Sequence, residues 1–187
     1  MRPWLRPLLA LPLLAALVAC RPGGDLPPLP VTASAAYVLG AADQVRVIVF
    51  NDPRLTGEFR ISDTGSLNLP LIGALPVAGR SPAQAGEAIA AEMRRQGLFR
   101  EPNVAVEVLA YRPVFVLGMV ERGGQFPYQP GMTVLSAAAL AGGFTYRAVQ
   151  DQVSITRGVP GQAREYRAPR SAALLPGDVV TVFERQF

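Results

Sequence analysis

Arg60 to Gly73 reads RISDTGSLNLPLIG. Phe59 and Ile61 alternate with Glu58, Arg60 and Ser62, and beyond Asp63-Thr64-Gly65 the hydrophobic Leu67 and Leu69 alternate with Ser66 and Asn68. Period-two alternation on both sides of a Gly-containing turn predicts a β-hairpin with one wet face. Gly65 then supplies the positive φ of the loop, and Asp63 bonds the backbone two residues on. The same Asp63-Thr64-Gly65-Ser66 tetrapeptide could instead hold a catalytic carboxylate. That chemistry needs two carboxylates sharing one proton, so a chain with one such motif would have to dimerise through it. It also needs an apolar strand leading into the Asp, and here Ser62 precedes it. Leu71-Ile72-Gly73 imitates a second packing element but follows too closely to fold behind the first. Asp63 is therefore read as a turn residue.

Upstream, YVLGAADQVRVIVF (37–50) gives a turn at Gly40 to Asp43 and a strand over Val45 to Phe50. Downstream, Pro70 and Gly73 punctuate the chain, and Ala78-Gly79 leads into AGRSPAQAGEAIAAEMRRQGLF. Ser81 is placed as an N-cap, Pro82 as the first helical residue, and Gln84 completes a capping box. Ala85, Ala88, Ile89 and Met93 form the apolar stripe. Glu87, Glu92, Arg94 and Arg95 form the solvated face. Gly97 stops the helix, with Leu98 and Phe99 folding back on its end. PNVAVEVLAY (102–111) follows as a strand with Val104, Val106 and Val108 on one face. Residues 37–111 read as a small α+β domain.

Arg112-Pro113 marks a boundary. Val114 to Val120 is a nearly continuous apolar strand ending at Gly118-Met-Val. A turn, a short strand and the Pro130-Gly131 turn come next. Thr133 caps a short helix over Val134 to Ala141, closed by Gly142-Gly143. QVSITR and AREYR are two further strands around Gly158 to Gly161, and Pro176-Gly177-Asp178 turns the chain into a last strand. Four or five strands with one helix over 112–187 suit a β-grasp-like domain. Asp43-Gln-Val-Arg-Val47 and Asp178-Val-Val-Thr-Val182 echo each other, each placing an Asp at the turn into a strand; common strand-entry chemistry explains this better than a repeat.

The first twenty residues, MRPWLRPLLALPLLAALVAC, carry Arg2 and Arg6 ahead of an apolar run from Leu8 to Ala19. That run is about half of what a membrane-spanning helix needs, and the pattern is that of a secretory signal peptide, residues 1–19. Leu17-Val18-Ala19-Cys20 has the form of a bacterial lipobox, with Cys20 as the lipidated residue. Arg21 follows it rather than Asp, which favours the outer membrane, facing the periplasm, in a Gram-negative cell. Residues 20–36 are rich in Pro and Gly and read as an extended tether.

Composition narrows the chemistry. The 187 residues are 50% hydrophobic and 17% charged, enough apolar content for a core. All 18 basic residues are Arg, scattered singly apart from Arg94-Arg95, which leaves no nucleic-acid footprint. With no His and one Cys, His-based catalysis, Cys-His nucleophiles, the usual zinc sites and an internal disulfide are excluded. No cofactor and no metal are expected. Arg112, Arg122, Arg147 and Arg157 could meet an acidic sugar or a neighbouring subunit, but read best as solvated surface. Tyr111, Phe126 and Tyr128 read as core or interface packing rather than sugar-stacking rings.

Taken in order, these motifs resemble the bacterial polysaccharide biosynthesis/export family, the outer-membrane polysaccharide export proteins. The first domain is similar to the family's polysaccharide-export domain through Tyr37-Val-Leu-Gly-Ala-Ala-Asp43, Asp63-Thr-Gly65, Leu69-Pro70-Leu-Ile-Gly73 and Ala78-Gly79. The second resembles its SLBB domain, a β-grasp module, through Val116-Leu-Gly118-Met-Val120, Gln129-Pro130-Gly131, Ala141-Gly142-Gly143 and Leu175-Pro176-Gly177-Asp178-Val179-Val180. Ala41-Ala42 departs from the Pro-Gly that often precedes the family's Asp. Longer members carry further SLBB-like domains and a C-terminal amphipathic helix; this sequence resembles a short member.

The resemblance implies a non-enzymatic lipoprotein of the outer membrane whose copies form a ring for exopolysaccharide or capsule. Its implied partners are an inner-membrane polysaccharide co-polymerase, a separate outer-membrane β-barrel and the polysaccharide itself. A monomeric glycan-binding lipoprotein is the alternative. A dimeric aspartic protease using Asp63 is a remote one.

Overall fold

The structure, a computed structural model, describes residues 23–30, 37–158 and 161–185. Cys20 and the whole signal sequence lie outside the described residues. The chain forms an α+β fold with two separate hydrophobic cores.

The first core belongs to residues 37–111. Strand β1 (Gln44–Val49) is the centre of an antiparallel sheet between β2 (Gly57–Arg60) and β5 (Val104–Ala110). Its alternation decides which face is buried. Val45, Val47 and Val49 point into the core, while Arg46 faces solvent and pairs with Glu58 across the strands at 2.7 Å. Helix α1 (Pro82–Arg95) covers the sheet. Ser81 caps it with a complete capping box, and Ala85, Ile89 and Met93 are buried. Leu98 N–H donates to the Met93 carbonyl at 3.0 Å, the backward fold expected after Gly97. Phe99 packs on the same core.

The hairpin expected over residues 58–69 is corrected here. β2 pairs with β1, and β3 (Ser66–Leu69) pairs with β4 (Gly73–Pro76). The reversal at Asp63-Thr64-Gly65 is real, closed by Ser62 N–H donating to the Ser66 carbonyl at 2.9 Å, but it joins two sheets. The alternation on each side was sound, since Ile61, Leu67 and Leu69 are all buried. Periodicity identifies a strand and its faces but says nothing about its neighbour.

The second core belongs to a five-stranded sheet in the order β7-β6-β10-β8-β9. These are β6 (Val114–Gly118), β7 (Gly124–Phe126), β8 (Ala148–Arg157), β9 (Arg164–Pro169) and β10 (Val179–Glu184). β6 and β10 are parallel neighbours; every other pairing in the sheet is antiparallel. Helix α2 (Val134–Leu140), capped by Thr133, closes the inner face with Val134, Ala137 and Ala138. Small residues on α2 let it sit close to Val116, Val153, Ile155 and Val180.

Part of the stretch read as a tether is packed on this sheet. Leu29 N–H donates to the Arg167 carbonyl and Arg167 N–H to the Pro27 carbonyl, both at 2.8 Å. Pro28 thus forms a parallel bridge to Arg167, on the open edge of β9. A Pro is tolerated on such an edge because it owes the sheet no N–H. Leu29 adds apolar surface to the second core. Among the described residues, no helix is long and apolar enough to cross a membrane.

Candidate functional site

β1 and β10 each begin directly after an aspartate, and the two aspartates do the same work. Asp43 and Asp178 are both essentially inaccessible to solvent. Asp43 Oδ2 accepts from the Gly40 N–H at 2.7 Å; Asp178 Oδ2 accepts from the Leu175 N–H at 2.8 Å. Each carboxylate therefore closes its own turn on the residue three positions back. Each is also neutralised by an arginine. Arg157 grips Asp178 with two nitrogens, Nε to Oδ1 at 2.9 Å and Nη2 to Oδ2 at 2.7 Å. Arg112 Nη1 lies 3.0 Å from Asp43 Oδ2, and its backbone N–H donates to Oδ1 at 2.8 Å. A buried carboxylate is tolerated only when paired and hydrogen-bonded in this way.

Arg112 does more than neutralise Asp43. Its Nε donates to the Pro176 carbonyl at 2.9 Å, in the turn that carries Asp178. One guanidinium thus ties the entry turn of the first domain to the entry turn of the second. Two glycines make room for it. A Cβ on Gly40 would stand 2.2 Å from Arg112 Nη1, and one on Gly177 would stand 3.1 Å from Nε. Backbone bonds reinforce the seam: Gly177 N–H donates to the Pro113 carbonyl, and Phe115 N–H to the Asp178 carbonyl.

Three tyrosines line the same junction. The Tyr37 hydroxyl donates a short hydrogen bond to Asp43 Oδ2. The Tyr37 ring meets Tyr111 edge-on at 4.8 Å, and Tyr111 meets Tyr128 edge-on at 5.5 Å. The line crosses from the first domain to the second. Burial, then the bond to Asp43, pushes the Tyr37 phenol well above its usual range, so it stays a donor. Burial likewise raises Tyr128. Tyr111 and Tyr128 pack at an interface, as read from the sequence.

The expectation of solvated arginines is corrected for two positions. Arg112 and Arg157 are largely covered and bound to buried aspartates. Arg147 is half exposed and pairs with Glu184, and Arg122 is exposed. The signal for the two pairings was present in the Asp43 and Asp178 echo. Sequence alone could not name the cations, which lie 69 and 21 positions away.

Asp63 stands exposed on its loop, and its Oδ1 accepts from the Thr64 N–H, one residue on rather than two. Ser62 also braces the turn, its Oγ accepting from the Ser66 N–H, four residues on, at 3.1 Å. A Cβ on Gly65 would meet the Ala78 Cβ at 2.5 Å. Pro70 and Gly73 bound the β3–β4 turn. Gly79 N–H donates to the Leu39 carbonyl at 2.8 Å, and Pro130-Gly131 lies in the turn closed by Met132 N–H on the Gln129 carbonyl. Gly142 and Gly143 N–H groups cap the last carbonyls of α2, those of Ala139 and Ala138. Gly118, φ +85°, lies opposite Val182 in the β6–β10 pair: a Cβ there would stand 2.2 Å from the Val182 carbonyl oxygen. Among the described residues, no group of three or more His, Cys, Asp or Glu could hold a metal ion.

Residues 31–109 match the family model for polysaccharide biosynthesis/export proteins, and residues 113–168 match the SLBB domain. The chain is 36% identical to the exopolysaccharide production protein ExoF of Rhizobium meliloti, across 57% of this chain and 28% of that protein. It is 27% identical to the EPS I polysaccharide export outer membrane protein EpsA of Ralstonia nicotianae, across 92% of this chain and 53% of that protein. The Ralstonia solanacearum protein of the same name is 29% identical, across 80% and 42%. The chain spans about half the length of these relatives or less.

Proposed function

This chain belongs to the polysaccharide biosynthesis/export family, with an export domain followed by an SLBB domain, and from that premise we propose that it is a structural component of an exopolysaccharide export apparatus at the outer membrane. It works without making or breaking bonds. Cys20 carries the lipid that holds it to the periplasmic face of the membrane. Copies assemble into a ring through heterologous contacts that close on themselves. The ring receives polymer from an inner-membrane co-polymerase and passes it to a separate outer-membrane β-barrel.

The observation that carries this reading is the Arg112 clasp. It binds the Asp43 carboxylate and the Pro176 carbonyl at once. A ring of two-domain subunits keeps a fixed lumen only if the domains hold a fixed angle. A largely covered arginine that bonds both domains at once supplies that stiffness, whereas a linker of Gly and Ser would not. The buried aspartates are saturated by donors and closed to solvent, which suits a structural part.

The test is secreted polysaccharide in a strain lacking the gene, with and without complementation, together with the native mass of the detergent-purified lipoprotein. Loss of secreted polymer on deletion and a multiple of the subunit mass are expected. Normal secretion without the gene, or a monomer that binds glycan, would move the protein to the glycan-binding alternative.

A further inference from the structure

The chain between the lipid site and the folded body is shorter than its composition suggests. Gly23 is already placed on the outer face of the second domain's sheet. A Cβ there would stand 2.6 Å from the Phe183 ring, and Leu26 N–H closes a turn on the Gly23 carbonyl. From Gly23 to Leu29 the chain stays on the sheet, ending on the edge of β9. Three residue steps separate Cys20 from Gly23. Even fully extended they span only about 11 Å. A lipid on Cys20 therefore draws the Phe183 end of the sheet to the bilayer.

That end has a suitable surface. Phe183 lies near the C-terminal end of β10, and the parallel neighbour β6 ends beside it, with Gly118 opposite Val182. Leu117 projects outward there and is 46% exposed. The Arg185 N–H donates to the Arg147 carbonyl at 2.8 Å, which brings the start of β8 to the same place. Next to Arg147 stands Tyr146, 85% exposed, more than any other large apolar or aromatic side chain among the described residues. Tyr and Arg at one edge, beside an exposed Leu, are the side chains that settle in a lipid headgroup layer. The opposite ends of β6 and β10 are the ones held at the Arg112 seam. The two strands thus run from the first domain toward the lipid site, over about 20 Å.

We propose that the end of the second domain bearing Gly23, Leu117, Tyr146, Arg147 and Arg185 lies on the membrane surface, with the Tyr146 ring among the headgroups and the first domain directed away. This rests on the reading of Cys20 as the lipid anchor. The Pro/Gly-rich stretch is then a short leash that sets orientation, and not a spacer that lets the body wander.

The single Trp of the sequence, Trp4, falls within the signal peptide, so the processed chain has none. Tyr146→Trp introduces a lone fluorophore at the proposed contact. Phe50→Trp introduces one at the far end of β1, at a side chain that is 66% exposed. Each full-length variant is processed in cells, purified with its acyl chains and reconstituted into phosphatidylethanolamine–phosphatidylglycerol vesicles containing brominated lipid. Mass spectrometry of the N-terminal peptide reads the acylation separately. The expected result is quenched, blue-shifted emission for Tyr146→Trp and none for Phe50→Trp. A flexible Gly-Ser spacer inserted between Cys20 and Gly23 should weaken the quenching. An acylated Tyr146→Trp protein that is not quenched, or equal quenching at both positions, overturns the orientation while leaving the anchor intact. A peptide without acyl chains overturns the anchor, and the orientation with it.

Discussion

Arg112 and Asp43 meet twice, through a backbone N–H at 2.8 Å and a guanidinium nitrogen at 3.0 Å, although 69 positions separate them in the chain. The same arginine reaches Pro176, so the pair is at once a salt bridge inside the first domain's turn and a tie to the second domain. Asp178 and Arg157 repeat the arrangement without the tie.

Removing either aspartate strands the turn N–H it accepts from, that of Gly40 or Leu175, and leaves its arginine with a backbone carbonyl as the remaining acceptor. Asp43→Ala leaves the Gly40 N–H, the Tyr37 hydroxyl and the Arg112 backbone N–H and Nη1 without their carboxylate acceptor, while Nε keeps the Pro176 carbonyl, and should cost about 3–5 kcal/mol. Asp178→Ala should cost a similar amount. The two differ in reach. Hydrogen exchange should speed up on both sides of the seam in Asp43→Ala, but mainly around β8 and β10 in Asp178→Ala. Equal patterns in the two variants would count against the clasp.

Gly118→Ala should destabilise the second domain by about 1–3 kcal/mol, read as a lower denaturation midpoint. The added Cβ would collide with the Val182 carbonyl, and the residue already sits at φ +85°. Backbone cannot step aside as a side chain can. Gly131→Ala, also at positive φ but with nothing within 4 Å, should cost less.

The acid limb of stability should carry the mark of Glu92. Hydrogen bonds from Arg95, and then from Gln96, draw its carboxyl down from 4.5 to about 2. A carboxyl with a depressed folded value binds fewer protons in the folded state, so its contribution is complete above 4.5. It is lost as pH falls from there toward 2. Glu92→Gln should flatten the stability–pH curve in that window and leave it unchanged near neutrality. Added salt should shrink the difference, as for any surface pair.

Ser154 Oγ is buried and meets no hydrogen-bond partner among the described residues. Ser154→Ala should therefore be neutral or stabilising, by up to about 1 kcal/mol, because it removes a desolvated hydroxyl without opening a large void. A thermal midpoint that falls by several degrees would point to a partner for the hydroxyl.

Asp63→Asn should leave folding and polysaccharide secretion close to wild type. An exposed side chain that accepts one local N–H bond keeps an acceptor when its carboxylate becomes an amide. Loss of secretion in this variant, with the fold intact, would revive a chemical role for the carboxylate.

Some of these features could be read directly from the residues. The capping box at Ser81 and Gln84, the return at Gly97 to Phe99, and the buried faces of β1, β3, α1 and β10 all depend on residues a few positions apart. The packing of residues 23–30 was hidden, because Pro and Gly in a tether and Pro and Gly on a sheet edge look alike in composition. The seam was half visible: its aspartates stood out by their echo, while Arg112 and Arg157 looked like any other surface arginine.

The sequence alone determined where the chain turns and which side of each element is apolar, since caps, positive-φ glycines and period-two alternation are short-range properties of the backbone. The tertiary structure alone decided which strand lies beside which and which arginine neutralises which aspartate. β2 joined β1 and left β3 to β4, and Arg112 found Asp43 across most of a domain. Strand edges and charges carry no address of their own. Their partners are chosen when the cores close and only some donors remain within reach of a buried acceptor.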